Sequence, residues 1–334
     1  MTAADIRRIA RAALGALFCA LLALPLPAQT LEEVAARDPL SSATLFDPSA
    51  VPEPEAPAAV VLPSGDVQVS FGGLRVFFIN VGQGDATYFE LPDGSNALID
   101  GGPTISALRR FLTERGVQRL SHVVLTHPHS DHYNGLKYAF DSLQVDHFYD
   151  TRMDNSSASG DETVRAKAAA ELGCTTAYPA PGDALSWSAG VQVRVLSSCP
   201  SPVRSGGDGS SVNNCSIVLK IAYGGNSLLL TGDAETEVEA RLVSQYGTAL
   251  HAQVLKVGHH GSARSSTKEF LAFVRPQRAY ISVGKNSYGH PTTDALTRLA
   301  AVGAQVLRTD QNGTLVWDPS TGSNFLSAAF PSKN

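Results

Sequence analysis

The run His127-Pro128-His129-Ser130-Asp131-His132 constrains this chain more than any other stretch. It follows directly on the apolar segment His122–Thr126, so three imidazoles and a carboxylate are packed into one short turn at the carboxyl end of a strand. Alternate side chains of such a turn point at two neighbouring places. His127 and His129 can then hold one cation while Asp131 and His132 hold another, and this mixture of nitrogen and oxygen donors suits zinc or manganese. The bland alternative is a polar loop whose histidines cap the next helix.

Four donors do not complete two cation sites, and other strand ends supply more. Leu228-Leu229-Leu230-Thr231-Gly232-Asp233 is an apolar strand that delivers a carboxylate where it can bridge two ions, although alone a Gly-Asp pair is usually a turn that caps a helix. Leu255-Lys256-Val257-Gly258-His259-His260-Gly261-Ser262 ends in the same way, as does the segment from Ser282 to His290-Pro291. Six of the nine histidines fall in the first run and the last two motifs. His122, His147 and His251 are left to packing or surface roles.

The chain opens with Arg7, Arg8 and Arg11, an apolar run from Ala12 to Leu24, and then Pro25, Pro27 and Ala28. That is the order of an export signal, with a cut after Ala28. The competing reading, a retained anchor, is disfavoured because the run is shorter than the ~20 residues a spanning helix needs. No later segment suits a membrane span. The expected organisation is a signal peptide at 1–28, a flexible lead-in rich in Pro, Ala and acidic residues at 29–66, and one folded domain at 67–330. The mature protein is expected to be periplasmic or extracellular. Removing three arginines and one aspartate with the signal takes the formal charge from −5 to −7, so any contact with nucleic acid requires a local basic groove. Cys19 leaves with the signal as well. Of Cys174, Cys199 and Cys215, the last two flank a loop rich in Ser, Gly and Pro and are the preferred disulfide pair in an oxidising compartment.

Between Leu74 and Ile99 short apolar segments alternate with Gly, Pro and Asp, the pattern of an antiparallel sheet. A helix is expected over Ser106–Arg115, and strands and helices then alternate to Arg308, among them helices at Lys268–Val274 and Thr293–Ala301. Two mixed sheets packed face to face with helices outside satisfy both halves.

Taken in order, Asn80-Val81-Gly82-Gln83-Gly84-Asp85-Ala86, Leu98-Ile99-Asp100-Gly101-Gly102, the histidine run, Thr231-Gly232-Asp233, His259-His260-Gly261-Ser262 and Gly289-His290-Pro291 resemble the metallo-β-lactamase superfamily. Within it, the likeness is to the hydrolase domain of DNA-uptake competence proteins of the ComEC type. It covers roughly Gly73 to Trp317. The resemblance implies an αββα sandwich of two mixed β-sheets with two divalent metal ions, zinc or manganese, at one edge. The channel-forming portion of ComEC has no counterpart in the chain, so a free-standing exported relative is expected.

Carried over, the pattern assigns His127 and His129 to the first metal, Asp131 and His132 to the second, and Asp233 to both. Asp100 looks like a carboxylate that orients the histidine loop, with Asp85 as a further support. Side chains of consecutive extended residues point in opposite directions, so one of His259 and His260 completes the second metal. His259 is the favoured ligand, His260 a candidate acid, and His290 either the last ligand or that acid. Many superfamily members place a third histidine for the first metal where this chain reads Asn213-Asn214-Cys215-Ser216, as ComEC-like sequences do. Asn214 is the expected support there, either at the metal or on a bound phosphate.

This pattern points to phosphodiester hydrolysis of DNA or a related ester by metal-activated water, with Asp131 essential and His260 or His290 protonating the departing oxygen. Lys285, Arg264 and Lys256 are candidate phosphate contacts, against the alternative of solvated surface charges. The competing functions are hydrolysis of an amide, lactam or thioester, and a non-catalytic binding module stabilised by metal.

Overall fold

The strands of this chain bury apolar side chains on both faces, which is why they read as near-continuous apolar runs. A computed structural model of the chain describes residues 73–156, 160–199 and 209–319, with two-residue strands at 60–61, 67–68, 204–205 and 326–327. The expected signal at 1–28 lies outside the described residues. So does the expected lead-in, apart from Val60–Val61, which pairs antiparallel with Val67–Gln68.

The first half supplies β1 (Arg75–Phe78), β2 (Thr87–Glu90), β3 (Asn96–Ile99), α1 (Ile105–Glu114), β4 (Arg119–Val124), α2 (Ser130–Tyr133), α3 (Leu136–Ser142), β5 (Gln144–Tyr149), α4 (Gly160–Ala170) and β6 (Thr175–Ala177). The second supplies β7 (Ala184–Ser188), β8 (Val191–Ser197), α5 (Gly209–Asn213), β9 (Val218–Tyr223), β10 (Asn226–Leu230), α6 (Thr236–Tyr246), β11 (Val254–Lys256), α7 (Lys268–Val274), β12 (Arg278–Ile281), α8 (Thr293–Ala301) and β13 (Gln305–Arg308). The strands β14 (Leu315–Trp317) and β15 (Leu326–Ser327) return to the first sheet. One sheet runs β15-β14-β1-β2-β3-β4-β5-β6 and the other β7-β8-β9-β10-β11-β12-β13.

Period-two alternation divides the first sheet's side chains between two cores. Val76, Phe78, Phe89, Ile99 and Val124 face the second sheet and meet Val195, Leu219, Leu230, Val254 and Tyr280. Their neighbours Phe77, Tyr88, Leu98 and Val123 face outward and bury Leu108, Phe111 and Leu112 of α1 and Phe140 of α3. Phe78 and Tyr280 stack across the sandwich with ring centroids 4.2 Å apart. On the far side α6 packs against β8 and α8 against β13. The architecture is an αββα sandwich of two mixed sheets.

The strands β3 to β6 are parallel, and so are β10 to β13. The loops bearing the motif histidines and aspartates therefore follow the carboxyl ends of parallel strands, the usual location of sites in α/β sheets. The expected pair Cys199–Cys215 is joined by a disulfide that ties the end of β8 to the start of β9. Cys174 is free. Among the described residues no helix is long and apolar enough to cross a membrane.

Candidate metal centre

Ile99 of β3 lies opposite Val124 of β4, so Asp100 and the histidine loop leave the sheet side by side. Asp100 is buried and accepts hydrogen bonds from the Thr126 amide at 2.8 Å and the Thr126 hydroxyl at 2.7 Å. Its second oxygen lies 2.8 Å from Nδ1 of His132. That contact fixes the His132 ring with Nε2 turned away, 3.4 Å from Oδ2 of Asp233. Neighbouring turns hold the loop from outside. The Asp85 amide donates to the Asp131 carbonyl, and a Cβ on Gly84 would stand 2.3 Å from that carbonyl oxygen, so the approach requires glycine.

His127 is fully buried, with Nδ1 3.1 Å from the Thr126 hydroxyl and 3.3 Å from the Ser216 hydroxyl. Its Nε2 faces Nδ1 of His129 at 3.0 Å and Oδ2 of Asp233 at 3.7 Å. The Ser216 hydroxyl also accepts from the Asp233 amide at 2.9 Å. Ser216 thus supports two of the candidate ligands, a role not assigned from the sequence. Its signals were a hydroxyl residue at the entrance to an apolar strand and its place in the Asn213-Asn214-Cys215-Ser216 stretch.

Ligand atoms of His127, His129 and Asp233 lie within 4.8 Å of one another, as do those of Asp131, His132 and His260. Oδ2 of Asp233 is 3.6 Å from Nε2 of His260 and 3.4 Å from Nε2 of His132, so this carboxylate stands between the two groups. Nε2 of His132, Nε2 of His260 and Oδ1 of Asp233 are buried without a hydrogen-bond partner in the protein. Orphaned buried nitrogens cost free energy unless something binds them. Two such nitrogens converging with an orphaned carboxylate oxygen fit a pair of divalent cations.

Of the adjacent histidines, the geometry brings His260 into a ligand group, whereas the sequence expectation favoured His259. His260 donates from Nδ1 to the Ser282 carbonyl at 2.9 Å and turns Nε2 to within 3.3 Å of Oδ2 of Asp131. His259 is partly exposed, with Nε2 3.8 Å from Asp233 and Nδ1 3.4 Å from Glu235, and it joins neither group of three. The reason is local: both residues are left-handed, with φ of 48° and 53°, so the alternation of extended residues does not apply.

Other expected contacts are relocated too. Lys256 is buried with Nζ 2.8 Å from both oxygens of Asp85, so it neutralises that carboxylate beneath His260 and does not face a substrate. Asn214 accepts from the Glu235 amide and donates to Glu237, bracing the start of α6. Its neighbour Asn213 lines the cleft and donates to Glu235 at 2.9 Å, a shift of one residue from expectation. Glu235 was not anticipated; its buried carboxylate also accepts from Arg264 at 2.7 Å. Arg264 is half-exposed beside the site, whereas Lys285 is exposed and does not line the cleft. His290 lines it, with its ring 5.3 Å from that of His259.

The cleft has a volume of about 580 Å³. Its electrostatics favour positive charge. Burial opposes protonation of His132, but Asp233 and Asp100 outweigh it and hold the ring well above its ordinary pKa. Burial likewise opposes the charge on His260, yet the carboxylates of Asp233 and the adjacent Asp131 raise it to about 9. Burial alone would raise the Asp233 carboxyl, and the surrounding His132 and His260 pull it well below the usual range. A divalent cation satisfies the same carboxylates as these protons do, and competes with them.

A model of the metallo-β-lactamase superfamily matches residues 79–285. The chain is 34% identical over 262 residues to ComE operon protein 3 of Bacillus subtilis, covering 72% of this chain and 32% of that protein. It is 47% identical over 104 residues to the competence protein ComA of Neisseria gonorrhoeae, covering 31% of this chain and 15% of that protein. The chain thus spans about a third or less of the length of these relatives. Among solved structures, the metallo-β-lactamase fold protein YhfI of Bacillus subtilis superposes with a TM-score of 0.49 at 14% identity, covering 73% of this chain and 99% of that one. With the matched segment reaching into both sheets and containing His127, His129, Asp131, His132, Asp233, His259 and His260, the chain belongs to the metallo-β-lactamase superfamily of metal-dependent hydrolases.

Proposed function

We propose that this chain is an exported phosphodiesterase that cleaves DNA or a related phosphodiester with the help of two divalent ions, zinc or manganese. The observation that carries the reading is the pair of converging ligand groups with Asp233 between them. His127 and His129 would hold one ion and Asp131, His132 and His260 the other. Such ions lower the pKa of a coordinated water and polarise the phosphoryl oxygen.

The chain's own residues supply orientation and proton transfer. Asp100 keeps the His132 ring in one tautomer, and the Ser282 carbonyl does the same for His260. His259 lines the cleft with its Nδ1 3.4 Å from Glu235, a position from which its ring can hand a proton to the departing oxygen. Burial and the nearby His259 press His290 down to about 4, so it is neutral at pH 7 and better suited to contact than to acid catalysis. The likeness to competence proteins supports a nucleic-acid substrate, and the Cys199–Cys215 disulfide supports an oxidising, extracytoplasmic location.

Purified protein supplied with manganese or zinc should hydrolyse a DNA oligonucleotide and bis-(p-nitrophenyl) phosphate, and an Asp131→Ala variant should lose at least about 100-fold in rate. Equal activity in the two proteins would sink the scheme. Rapid turnover of nitrocefin without phosphodiester cleavage would favour the lactam alternative.

A further inference from the structure

Tyr288 is 72% exposed, more than any other large hydrophobic side chain among the described residues except Leu172, and it lines the cleft that holds the ligand groups. Water around an aromatic face is unfavourable, and nothing in the packing of the domain requires the ring to be there. Its position is nonetheless well defined. The Asn286 side chain accepts from the Tyr288 amide and from the His290 amide, each at 3.0 Å, and donates to the Gly284 and His290 carbonyls. The loop is therefore closed around one amide side chain, with Tyr288 at its tip.

The ring also belongs to a row. Tyr288 lies 5.8 Å from the His290 ring, which lies 5.3 Å from His259, whose Nε2 is 3.8 Å from Asp233. Nδ1 of His290 is buried and has no hydrogen-bond partner in the protein, so the middle of the row holds an unsatisfied polar atom. A ligand lying along it would meet a flat aromatic face outermost, a polar ring nitrogen next, and the ligand groups beyond. A nucleotide has that order of chemistry: a planar base joined through sugar to phosphate.

We infer that Tyr288 is a stacking platform for the nucleobase next to the scissile phosphodiester, with His290 contacting the intervening sugar or phosphate. The inference rests on the phosphodiesterase reading and adds a specificity-determining residue to it. Bases inside a duplex present only their edges, so the platform engages a base that is unpaired or terminal. Base–aromatic stacking tolerates any sequence, because every base has a π face.

The test uses the full chain carrying Asp131→Ala, to prevent turnover, and a single-stranded decanucleotide with one 2-aminopurine. Stacking on Tyr288 should quench the 2-aminopurine fluorescence on binding, Tyr288→Ala should abolish the quench and weaken binding about tenfold, and Tyr288→Phe should retain both. A quench that persists in Tyr288→Ala, or is lost equally in Tyr288→Phe, overturns the platform. In the otherwise wild-type chain, Tyr288→Ala should raise KM for the oligonucleotide about tenfold with kcat little changed, and leave unaltered the KM for an oligonucleotide that is abasic at the cleaved position. If the wild-type chain cleaves both oligonucleotides and Tyr288→Ala changes neither, the platform fails while the phosphodiesterase reading stands. If no oligonucleotide is cleaved but the quench depends on Tyr288, the phosphodiesterase reading fails and the platform stands.

Discussion

His132 and His260 present their Nε2 atoms from supports set directly behind the rings, the Asp100 carboxylate for one and the Ser282 carbonyl for the other. His129, in the other half of the centre, is braced differently. Its Nδ1 meets His127, and its far edge faces the start of α5, where a Cβ on Gly209 would stand 3.9 Å from the ring. That wall follows the segment joined to β9 by the Cys199–Cys215 disulfide, not a sheet strand. One half thus has two imidazoles with rigid backing and the Asp131 carboxylate, and the other has two imidazoles and a shared carboxylate. The physical lesson is that affinity is set by how well the unbound ligands are held apart and aimed, so the half built around His132 and His260 should bind its ion more tightly. The half built around His127 and His129 should then be the one that discriminates between metals.

The sharpest way to break this contrast is Asp100→Asn. An amide cannot accept from the Thr126 groups and from His132 with both its termini, so the His132 ring loses its fixed tautomer. The tighter affinity should fall about 10- to 100-fold while the weaker falls less. Calorimetric titration with zinc measures both, and equal losses would erase the distinction between the halves.

Ser216→Ala acts on the other half. It removes a hydroxyl that touches His127 and accepts from the Asp233 amide, and the weaker affinity should drop about tenfold. Competition with a chelator resolves that site. A larger effect on the tighter ion would show that Ser216 works mainly through Asp233.

His122 belongs to neither half and separates metal loss from loss of the fold. Burial, reinforced by the stacked His147, lowers its pKa from 6.5 to about 4. The unfolded chain therefore takes up a proton that the folded chain refuses. The stability from this group is present above pH 6.5 and is lost as pH falls towards 4, by about 2 kcal/mol at pH 5. Denaturant unfolding of metal-free protein at pH 8 and pH 5 should show a decline that includes this share, and His122→Gln should lessen it by about that amount.

Much of this arrangement was legible because it is local. The histidine run carries its own turn, and α7 and α8 begin at Thr267 and Thr292, side chains that accept from the third residue onward. The hairpin of β7 and β8 was overlooked even though Leu185 and Trp187, then Val193 and Val195, alternate around Ala189-Gly190. Other features depend on partners remote in the chain. Lys256 looks like a strand-end surface charge until Asp85, 171 residues away, is seen to take it. The exchange of His259 and His260 depends on two left-handed residues, and the step from Asn214 to Asn213 depends on the phase of α5. Neither backbone choice leaves a period in the sequence.

The central claim is that two ions share Asp233 and that His260, not His259, completes the better-braced half. Native mass spectrometry of zinc-loaded protein counts bound ions directly. The account predicts two ions in the wild-type chain and in His259→Ala, and one in His260→Ala. Two ions in His260→Ala with one in His259→Ala would contradict it.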